Sequence, residues 1–267
     1  MGFYDRAIII GKAFTVYRLR KQQTEEVYMK LYGIHFAKGF QYGTMETVFC
    51  TQKGNQERIS DFSFFYYLAE ADGKYFLIDT GFRDEQLAAE MGVVLLPIEE
   101  EIRKVFGSLP KIDAIFLTHS HWDHINNIDL YPHARLIMSK QTYDQAVSEG
   151  TAAVRERLQN AKACISLVKE REYFYNRFHF EVIGGHTPDS SILYFQIGND
   201  TYCITGDECY LCDNMEQNIP IGISFCKEKN ERFIQEANAE GWIPLPFHDA
   251  GIVERYDKLT ENIVRIL

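Results

Sequence analysis

Residues 115–127, IFLTHSHWDHINN, place metal-competent side chains directly after an apolar run. Imidazole nitrogens and carboxylate oxygens are the ligands that suit zinc and other first-row divalent ions. His119 and His121 point the same way if the chain is extended, whereas adjacent Asp123 and His124 diverge unless the chain turns. The spacing therefore predicts a bend that lets one pair bind one ion and the next pair a second ion. The alternative is a polar surface loop.

Further ligand-type residues follow strands downstream. His186 comes after FHFEVIGG, Asp207 after TYCITG and His248 after WIPLPF. Each is the first strong ligand type after its apolar run, and such strand ends are common places for sites in α/β proteins. Carboxylates that flank or bridge two ions offset the repulsion between the cations, so the pattern favours a dinuclear centre. The remaining histidines lie inside or beside strands and are interpreted as structural: His35, His133 and His179.

Hydrophobic periodicity and turn residues predict the elements that position these ligands. Residues 29–37 are a predicted strand, 38–60 a loop, and 61–82 a hairpin that turns at Asp72-Gly73. The other expected helices are 84–92, 97–107, QTYDQAVSEG, 151–169, NERFIQEANAEG and ERYDKLTENIVRIL. The other expected strands are KIDAIFLT, ARLIMSK, FHFEVIGG, SILYFQIG, TYCITGD (after a turn at Asn199-Asp200) and WIPLPF. Two strand-rich halves with flanking helices predict packed sheets with helices outside.

Composition excludes several classes of protein. With 46% hydrophobic residues the 267-residue chain can bury a large core, but no apolar run is long enough to span a membrane. A formal charge of −10 argues against a nucleic-acid surface. The N-terminus lacks the features of a secretory signal, and six scattered cysteines fit a reducing compartment, so we expect a cytoplasmic protein. Cys209-x-x-Cys212 is a lone pair and only a weak metal or redox motif.

Four segments, HSHWDH, GGHTPDS, TGDECY and PFHD, resemble in order and spacing the metallo-β-lactamase superfamily. FLIDTG (76–81) resembles an early strand-and-turn motif of that superfamily, and the resemblance covers roughly residues 60–250. It implies an α/β fold, an αββα sandwich of two mixed β-sheets with helices on the outer faces. The prediction is a single domain, 1–267, in which residues 1–29 form an atypical N-terminal extension. The implied cofactor is two divalent metal ions, with zinc expected and iron or manganese as alternatives.

The resemblance also implies a role for each ligand candidate, three to each ion and one between the ions. The first ion takes His119, His121 and His186, the second takes Asp123, His124 and His248, and Asp207 bridges them. Asp79 is implied to brace the metal loop. A cysteine in place of Asp207 would suggest true β-lactamases, so antibiotic hydrolysis is disfavoured.

Tyr210, three residues after Asp207, resembles a tyrosine of the lactonases that open N-acyl homoserine lactones and of a related lactonase of vitamin B6 breakdown. The pair His248-Asp249 is similar to that group as well. We therefore expect a dinuclear-metal hydrolase that opens a lactone by attack of a metal-bridging hydroxide. In this reading Asp123 transfers the proton and the Tyr210 hydroxyl polarises the carbonyl. The alternative for Tyr210 is that it only packs.

Other functions stay open. A thioesterase of the glyoxalase II type would use the same ligands, but only about 19 residues follow His248 here. A phosphodiesterase or nuclease is disfavoured by the charge. An oxygen-reducing diiron protein would have a glutamate in place of His121. A metal-binding or sensor module without turnover is the non-enzyme alternative.

Two departures from the family pattern leave the substrate open: Ile125-Asn126-Asn127 follow the metal motif, and Asp189 stands where glycine is usual. The expected partner is a small-molecule ester, with no nucleic acid and no membrane. The oligomeric state is not determined by the sequence, and a dimer is one option.

Overall fold

Two β-sheets stack face to face in the computed structural model, which describes residues 29–108, 110–161 and 164–267. The predicted N-terminal extension lies outside the described residues except for Met29. The first sheet contains β1 (Met29–Lys38), β2 (Ser63–Ala71), β3 (Lys74–Ile78), β4 (Val94–Leu95), β5 (Ala114–Phe116), β6 (Arg135–Ser139), β7 (Ile165–Val168), β13 (Asp257–Lys258) and β14 (Ile263–Arg265). Its order is β13-β14-β1-β2-β3-β5-β6-β7, with β4 paired to β1. The second sheet contains β8 (Arg171–Phe174), β9 (Phe178–Val182), β10 (Ser191–Ile197), β11 (Asp200–Ile204) and β12 (Ile243–Leu245), in the order β12-β11-β10-β9-β8.

Helices cover the outer faces of both sheets. They are α1 (Met45–Val48), α2 (Glu85–Met91), α3 (Ile98–Phe106), α4 (Trp122–Ile125), α5 (Lys140–Glu149), α6 (Ala152–Asn160), α7 (Cys212–Glu216), α8 (Lys227–Ala239) and α9 (Gly251–Arg255). Helices α3, α5 and α9 contact the first sheet, whereas α8 packs on the second sheet. The predicted αββα sandwich is therefore confirmed. Over the described ranges, no helix is both long enough and apolar enough to cross a membrane.

The main core lies between the sheets, where apolar side chains of the facing strands pack together. In β9, Phe178 and Phe180 are fully buried, whereas His179 between them points to the other face. The ring of Phe178 lies 5.2 Å from that of Phe76 in β3 and 5.4 Å from that of Phe116 in β5. These aromatic contacts join the two sheets directly beneath the strand ends that carry the ligand candidates.

Parallel strands bring those strand ends to one edge of the sandwich. β3 and β5 run parallel, with Ile78 opposite Phe116, so Asp79 and the segment leading to His119 emerge at the same edge. In the second sheet β11 and β12 are also parallel, and the ligand candidates that follow them are Asp207 and His248. The strand-end prediction thus has a topological basis, because parallel neighbours must end on the same side.

Two predicted helices are wrong. The segment 151–169 forms α6 only to Asn160, and Ile165–Val168 then extends the first sheet parallel to β6 as β7. The C-terminal segment ERYDKLTENIVRIL forms β13 and β14, and β14 pairs with β1. In both cases an exposed sheet edge offers backbone hydrogen bonds that outweigh a weak helical periodicity.

Smaller differences concern turns and loops. Because Ile197 pairs with Asp200, the turn between β10 and β11 is Gly198-Asn199 and not Asn199-Asp200. Gly198 has a φ of 62°, which glycine adopts without strain. The predicted loop 38–60 contains the short helix α1. The hairpin at Asp72-Gly73 and the helices near 84–92 and 97–107 are confirmed.

His35 in β1 makes the stability of the fold sensitive to acid. Its ring stacks on Phe65 with centroids 4.8 Å apart, and burial lowers the pKa of His35 from 6.5 to about 4. The unfolded chain therefore binds this proton more tightly, and the folded state loses roughly 3 kcal/mol as the pH falls from about 6.5 to about 4. The free energy of unfolding can be measured by urea titration of chelator-treated protein at both ends of this pH range. The loss between them should be smaller in His35→Phe than in the wild type by roughly 3 kcal/mol. Equal losses in the two proteins would contradict the prediction.

Candidate metal centre

The chain bends between the two pairs of ligand candidates in the first metal motif. His119 and His121 lie on extended backbone after β5, where His121 has a φ of −64° and a ψ of 153°. The helix α4 then begins, and it carries Asp123 and His124. The backbone N–H groups of His124 and Ile125 both donate to the His121 carbonyl, which fixes the bend. The predicted turn therefore separates the two pairs.

All seven predicted ligands come together as two adjacent groups. Within each group, one ligand atom per residue lies within 4.8 Å of the others. The first group is His119, His121, His186 and Asp207, and the second is Asp123, His124 and His248.

Asp207 lies between the two groups and contacts histidines of one group through Oδ1 and histidines of the other through Oδ2. Its Oδ1 lies 3.2 Å from Nε2 of His124 and 3.2 Å from Nε2 of His248. Its Oδ2 lies 3.4 Å from Nε2 of His186 and 3.8 Å from Nε2 of His119. This arrangement is the one a carboxylate needs to bridge two ions.

Several of these atoms are buried without a hydrogen bond among the described residues. They include Nε2 of His119, Nε2 of His124 and Oδ1 of Asp207. A buried polar atom without a partner costs about 1–3 kcal/mol, so this cluster needs something to satisfy it. A divalent cation within each group would satisfy the nitrogen and oxygen lone pairs together, and the donor set suits zinc. The residues present therefore fit the implied metal.

Two candidate ligand histidines, His124 and His248, each make a hydrogen bond through Nδ1, the ring nitrogen that faces away from the groups. His124 Nδ1 lies 2.7 Å from Oδ2 of Asp79, and His248 Nδ1 lies 2.9 Å from the carbonyl oxygen of Ser63. Nδ1 must donate in each contact, because the partner oxygens are acceptors. The opposite nitrogen, Nε2, then faces the groups and is the atom that can offer a lone pair to a metal ion.

Asp79 also fixes the strand end from which the motif emerges. Its Oδ1 accepts the backbone N–H of Thr118 at 2.7 Å, and its Oδ2 accepts the Thr118 hydroxyl at 2.6 Å. Asp79 has a φ of 59°, in the left-handed region, which aspartate tolerates better than most residues. The carboxylate thus holds His124 and the residue before His119 at once.

The electrostatics of the cluster favour a cation. Burial opposes a charge on His124, but the nearby Asp123, Asp207 and Asp79 raise its pKa well above the ordinary value. Burial likewise opposes ionisation of Asp207, yet His124 and His248 hold the pKa of Asp207 well below its usual range. Buried carboxylates that stay ionised beside histidines are a suitable environment for divalent ions.

Tyr210 is buried at the border of the core, and its hydroxyl lies beside the ligand candidates. Its hydroxyl is 3.3 Å from Nδ1 of His186, and its ring centroid is 5.6 Å from that of His248. Burial, followed by the charges of Asp207 and Asp123, raises the pKa of Tyr210 well above 10. The phenol therefore keeps its proton and can donate a hydrogen bond.

Sequence reasoning missed some residues that support the site. Ser63 and Thr118 act through main-chain or hydroxyl contacts that leave no motif in the sequence. Glu208 is detectable only as a second acid directly after Asp207. At the unusual position Asp189, the buried side chain accepts the Thr142 hydroxyl of α5 at 2.7 Å, which accounts for a side chain at that turn.

The cysteines of the CxxC motif are not part of this centre. Cys209 and Cys212 are buried free thiols, and neither joins a metal-ligand group in the described ranges. Burial raises the pKa of both thiols, so they are protonated. A single CxxC pair is weak evidence for a metal or redox site.

Known proteins resemble this chain in the metal-binding segment and in the fold. Residues 61–136 match the family model described as the metallo-beta-lactamase superfamily. No curated protein matches the sequence. A structure of a B. thuringiensis AiiA variant with N-decanoyl-L-homoserine bound at its active site is 16% identical, with a TM-score of 0.67 over 86% of this chain and 97% of that one.

Two further solved structures have the same fold. A quorum-quenching N-acyl homoserine lactone lactonase is 17% identical, with a TM-score of 0.68 over 88% of this chain and 98% of that one. AidC, a dizinc quorum-quenching lactonase in complex with its product N-hexanoyl-homoserine, is 16% identical, with a TM-score of 0.62 over 85% and 89%. At such identities the likeness establishes the fold alone. The chain thus resembles the metallo-β-lactamase superfamily in sequence over residues 61–136 and shares the fold of these lactonases over most of its length.

Proposed function

We propose that this protein is a hydrolase that uses two divalent metal ions to open a cyclic ester, a lactone. The observation that carries the proposal is the position of Asp207, with one oxygen toward each of two groups of buried ligands. Support for the substrate class comes from structural neighbours that carry acyl-homoserine products at their active sites. The proposal goes beyond the fold, which alone does not define a reaction.

The proposed ligand sets follow the two groups. One ion is held by His119, His121 and His186, the other by Asp123, His124 and His248, and Asp207 is shared. Nitrogen and oxygen ligands of this kind favour zinc, with iron and manganese as alternatives. When bound, two such ions would lower the pKa of water to near neutrality and would polarise a carbonyl oxygen.

Two side chains are proposed to act on the substrate. Asp123 projects into the cluster, with its Oδ2 3.7 Å from Nε2 of His248, and it would take the proton of the attacking water and pass it to the leaving alkoxide. Tyr210 would donate its hydroxyl proton to the ester carbonyl. If His186 Nδ1 donates to the tyrosine oxygen, that hydroxyl proton remains available for the substrate.

The surroundings of the site favour an ester with an apolar substituent over a phosphate ester. Phe62 stacks on His248 with centroids 4.5 Å apart, and Phe64 meets the same ring edge-on at 4.9 Å. Both phenylalanines are buried, whereas Trp122, whose ring lies 6.1 Å from that of Phe64, is partly exposed. Together with the net charge of −10, partly exposed aromatic surface beside the ligands is a poor environment for a polyanion.

The proposal is tested by metal analysis followed by a panel of substrates. The purified protein should contain about two divalent ions per chain and should hydrolyse lactones faster than thioesters or phosphodiesters. Faster turnover of thioesters would replace the lactone assignment with a thioesterase. Two bound ions without turnover on any substrate would indicate a non-catalytic metal-binding module.

Tyr210→Phe tests the carbonyl-polarising role. Removal of one hydrogen-bond donor to a developing oxyanion should lower kcat by about 100-fold, with little change in KM. The metal content should remain that of the wild type, because the phenol is not among the proposed ligands. Tyr194→Phe is the matched control, since Tyr194 stacks on His179 at the outer face of the second sheet. An unchanged kcat in Tyr210→Phe would remove the role.

A further inference from the structure

The backbone around His186 is held by a buried glutamate. Glu208 is fully buried, and its Oε1 accepts the backbone N–H groups of Gly185 at 2.8 Å and of His186 at 3.1 Å. The carbonyls of the same two residues accept the backbone N–H groups of Cys226 and Phe225. The Glu208 carboxylate therefore accepts the backbone N–H groups of this segment, as the carbonyls of a neighbouring β-strand would do in a sheet.

Among the described residues, every hydrogen bond to the Glu208 carboxylate comes from a donor group. The Ser190 hydroxyl donates to Oε1, and Asn230 of α8 donates from Nδ2 to Oε2 at 2.8 Å. The amide of Asn230 is itself oriented, because its Oδ1 accepts the backbone N–H of Ile221 at 3.0 Å. A carboxylate can accept all of these bonds, whereas an amide in its place must turn one donor against another donor.

The segment and the glutamate are packed without spare room. A Cβ atom added at Gly185 would lie 2.3 Å from Oε2 of Glu208 and 2.7 Å from Cβ of Asn230. Glycine is therefore required for the backbone to approach the carboxylate this closely. A contact this close leaves the segment little freedom to shift relative to Glu208.

Glu208 directly follows Asp207 in the chain, so one short turn carries both residues. The turn is the 3-10 segment Gly206–Glu208, in which Asp207 faces the two ligand groups and Glu208 faces the segment of His186. We propose that Glu208 is a positioning residue that sets His186 against Asp207, whose facing atoms lie 3.4 Å apart. This inference rests on the proposed metal centre. Partners of this kind, one shell beyond the ligands, orient the ligands and tune metal affinity.

Glu208→Gln is the direct test, because it keeps the size of the side chain and replaces one acceptor oxygen with an NH₂ group that can only donate. We expect zinc affinity, measured by competition with a chromophoric chelator, to fall by about 10–100-fold. In cobalt-substituted protein the visible ligand-field bands should shift, because the geometry at His186 changes. Both readouts are independent of activity.

Glu101→Gln is a matched control for the loss of a buried glutamate network. Glu101 accepts Nδ2 of Asn262 at 2.7 Å and the backbone N–H of Asn262 at 2.9 Å, and it takes no part in the ligand groups. The Glu101→Gln substitution should lower the Tm of the protein and leave its zinc affinity and the spectrum of its cobalt form unchanged. If Glu208→Gln fails to fold, Ser190→Ala removes one donor from the same carboxylate and should shift the cobalt spectrum in the same direction.

The outcomes separate this inference from the proposed function. A wild-type protein that binds no divalent metal would overturn the metal centre itself. A wild type that binds two ions, with Glu208→Gln within about twofold of its affinity and with the same cobalt spectrum, would overturn only the role of Glu208.

Discussion

Asp207→Ala is expected to lose both metal ions and all measurable hydrolysis. The side chain offers Oδ1 to His124 and His248 and Oδ2 to His186 and His119, so its removal takes a ligand from each group at once. It also leaves buried histidine nitrogens facing one another without the carboxylate between them. The wild type is expected to contain about two ions per chain. Metal analysis of Asp207→Ala after gel filtration should find far fewer.

Asp113→Ala is a suitable control for this experiment. Asp113 precedes β5, at the opposite end of the strand from His119, and accepts the backbone N–H of Tyr75 at 2.9 Å. That variant should keep its metal and its activity. Wild-type metal content in Asp207→Ala, or full activity in a metal-stripped wild type, would show that the dinuclear proposal is wrong.

Asp79→Asn is expected to have the second-largest effect, although Asp79 is not among the proposed ligands. The amide nitrogen would replace an oxygen that now accepts from Nδ1 of His124 and from the Thr118 hydroxyl. To avoid two donors in contact, the His124 ring must move its proton to Nε2, the atom that faces the metal group. A protonated Nε2 cannot bind an ion, so metal affinity and kcat/KM should each fall by about 100-fold.

The tautomer change gives Asp79→Asn a signature that a folding defect would not produce. Nitrogen-15 chemical shifts of the histidine rings should report a proton on Nε2 of His124 in the metal-free variant, whereas in the metal-loaded wild type the only ring proton of His124 should be on Nδ1. Asp84→Asn is the control, since Asp84 caps α2 through bonds to the N–H groups of Gln86 and Leu87 that asparagine can also make. Unchanged ring tautomers and unchanged metal affinity in Asp79→Asn would contradict this account.

The candidate site is more predictable from the sequence than the edges of the fold are. His119, His186, Asp207 and His248 each follow an apolar strand, and parallel pairing of β3 with β5 and of β11 with β12 carries strand ends to one edge. Local sequence is sufficient there because the buried strands have little choice of partner. The residues that orient the ligands are different. Ser63 contributes only a carbonyl oxygen, and no side-chain pattern can reveal it.

The C-terminal segment shows where local pattern fails. Its apolar residues, such as Ile263 and Val264, are spaced well enough for a helix, but they are buried as β14 against β1. The deciding factor is the free edge of β1, which is formed by residues more than 200 positions earlier in the chain. A single sequence contains no direct record of such long-range pairing.

The two-sided position of Asp207 has a consequence for how metal would load. Because both proposed ion sites share this carboxylate, an ion in one group would fix its orientation and remove part of the ordering cost for the second ion. The two binding events are then thermodynamically linked, and each ion raises the affinity for the other by the same factor. A titration of the metal-free protein should accordingly pass from empty to fully loaded chains with few singly loaded intermediates.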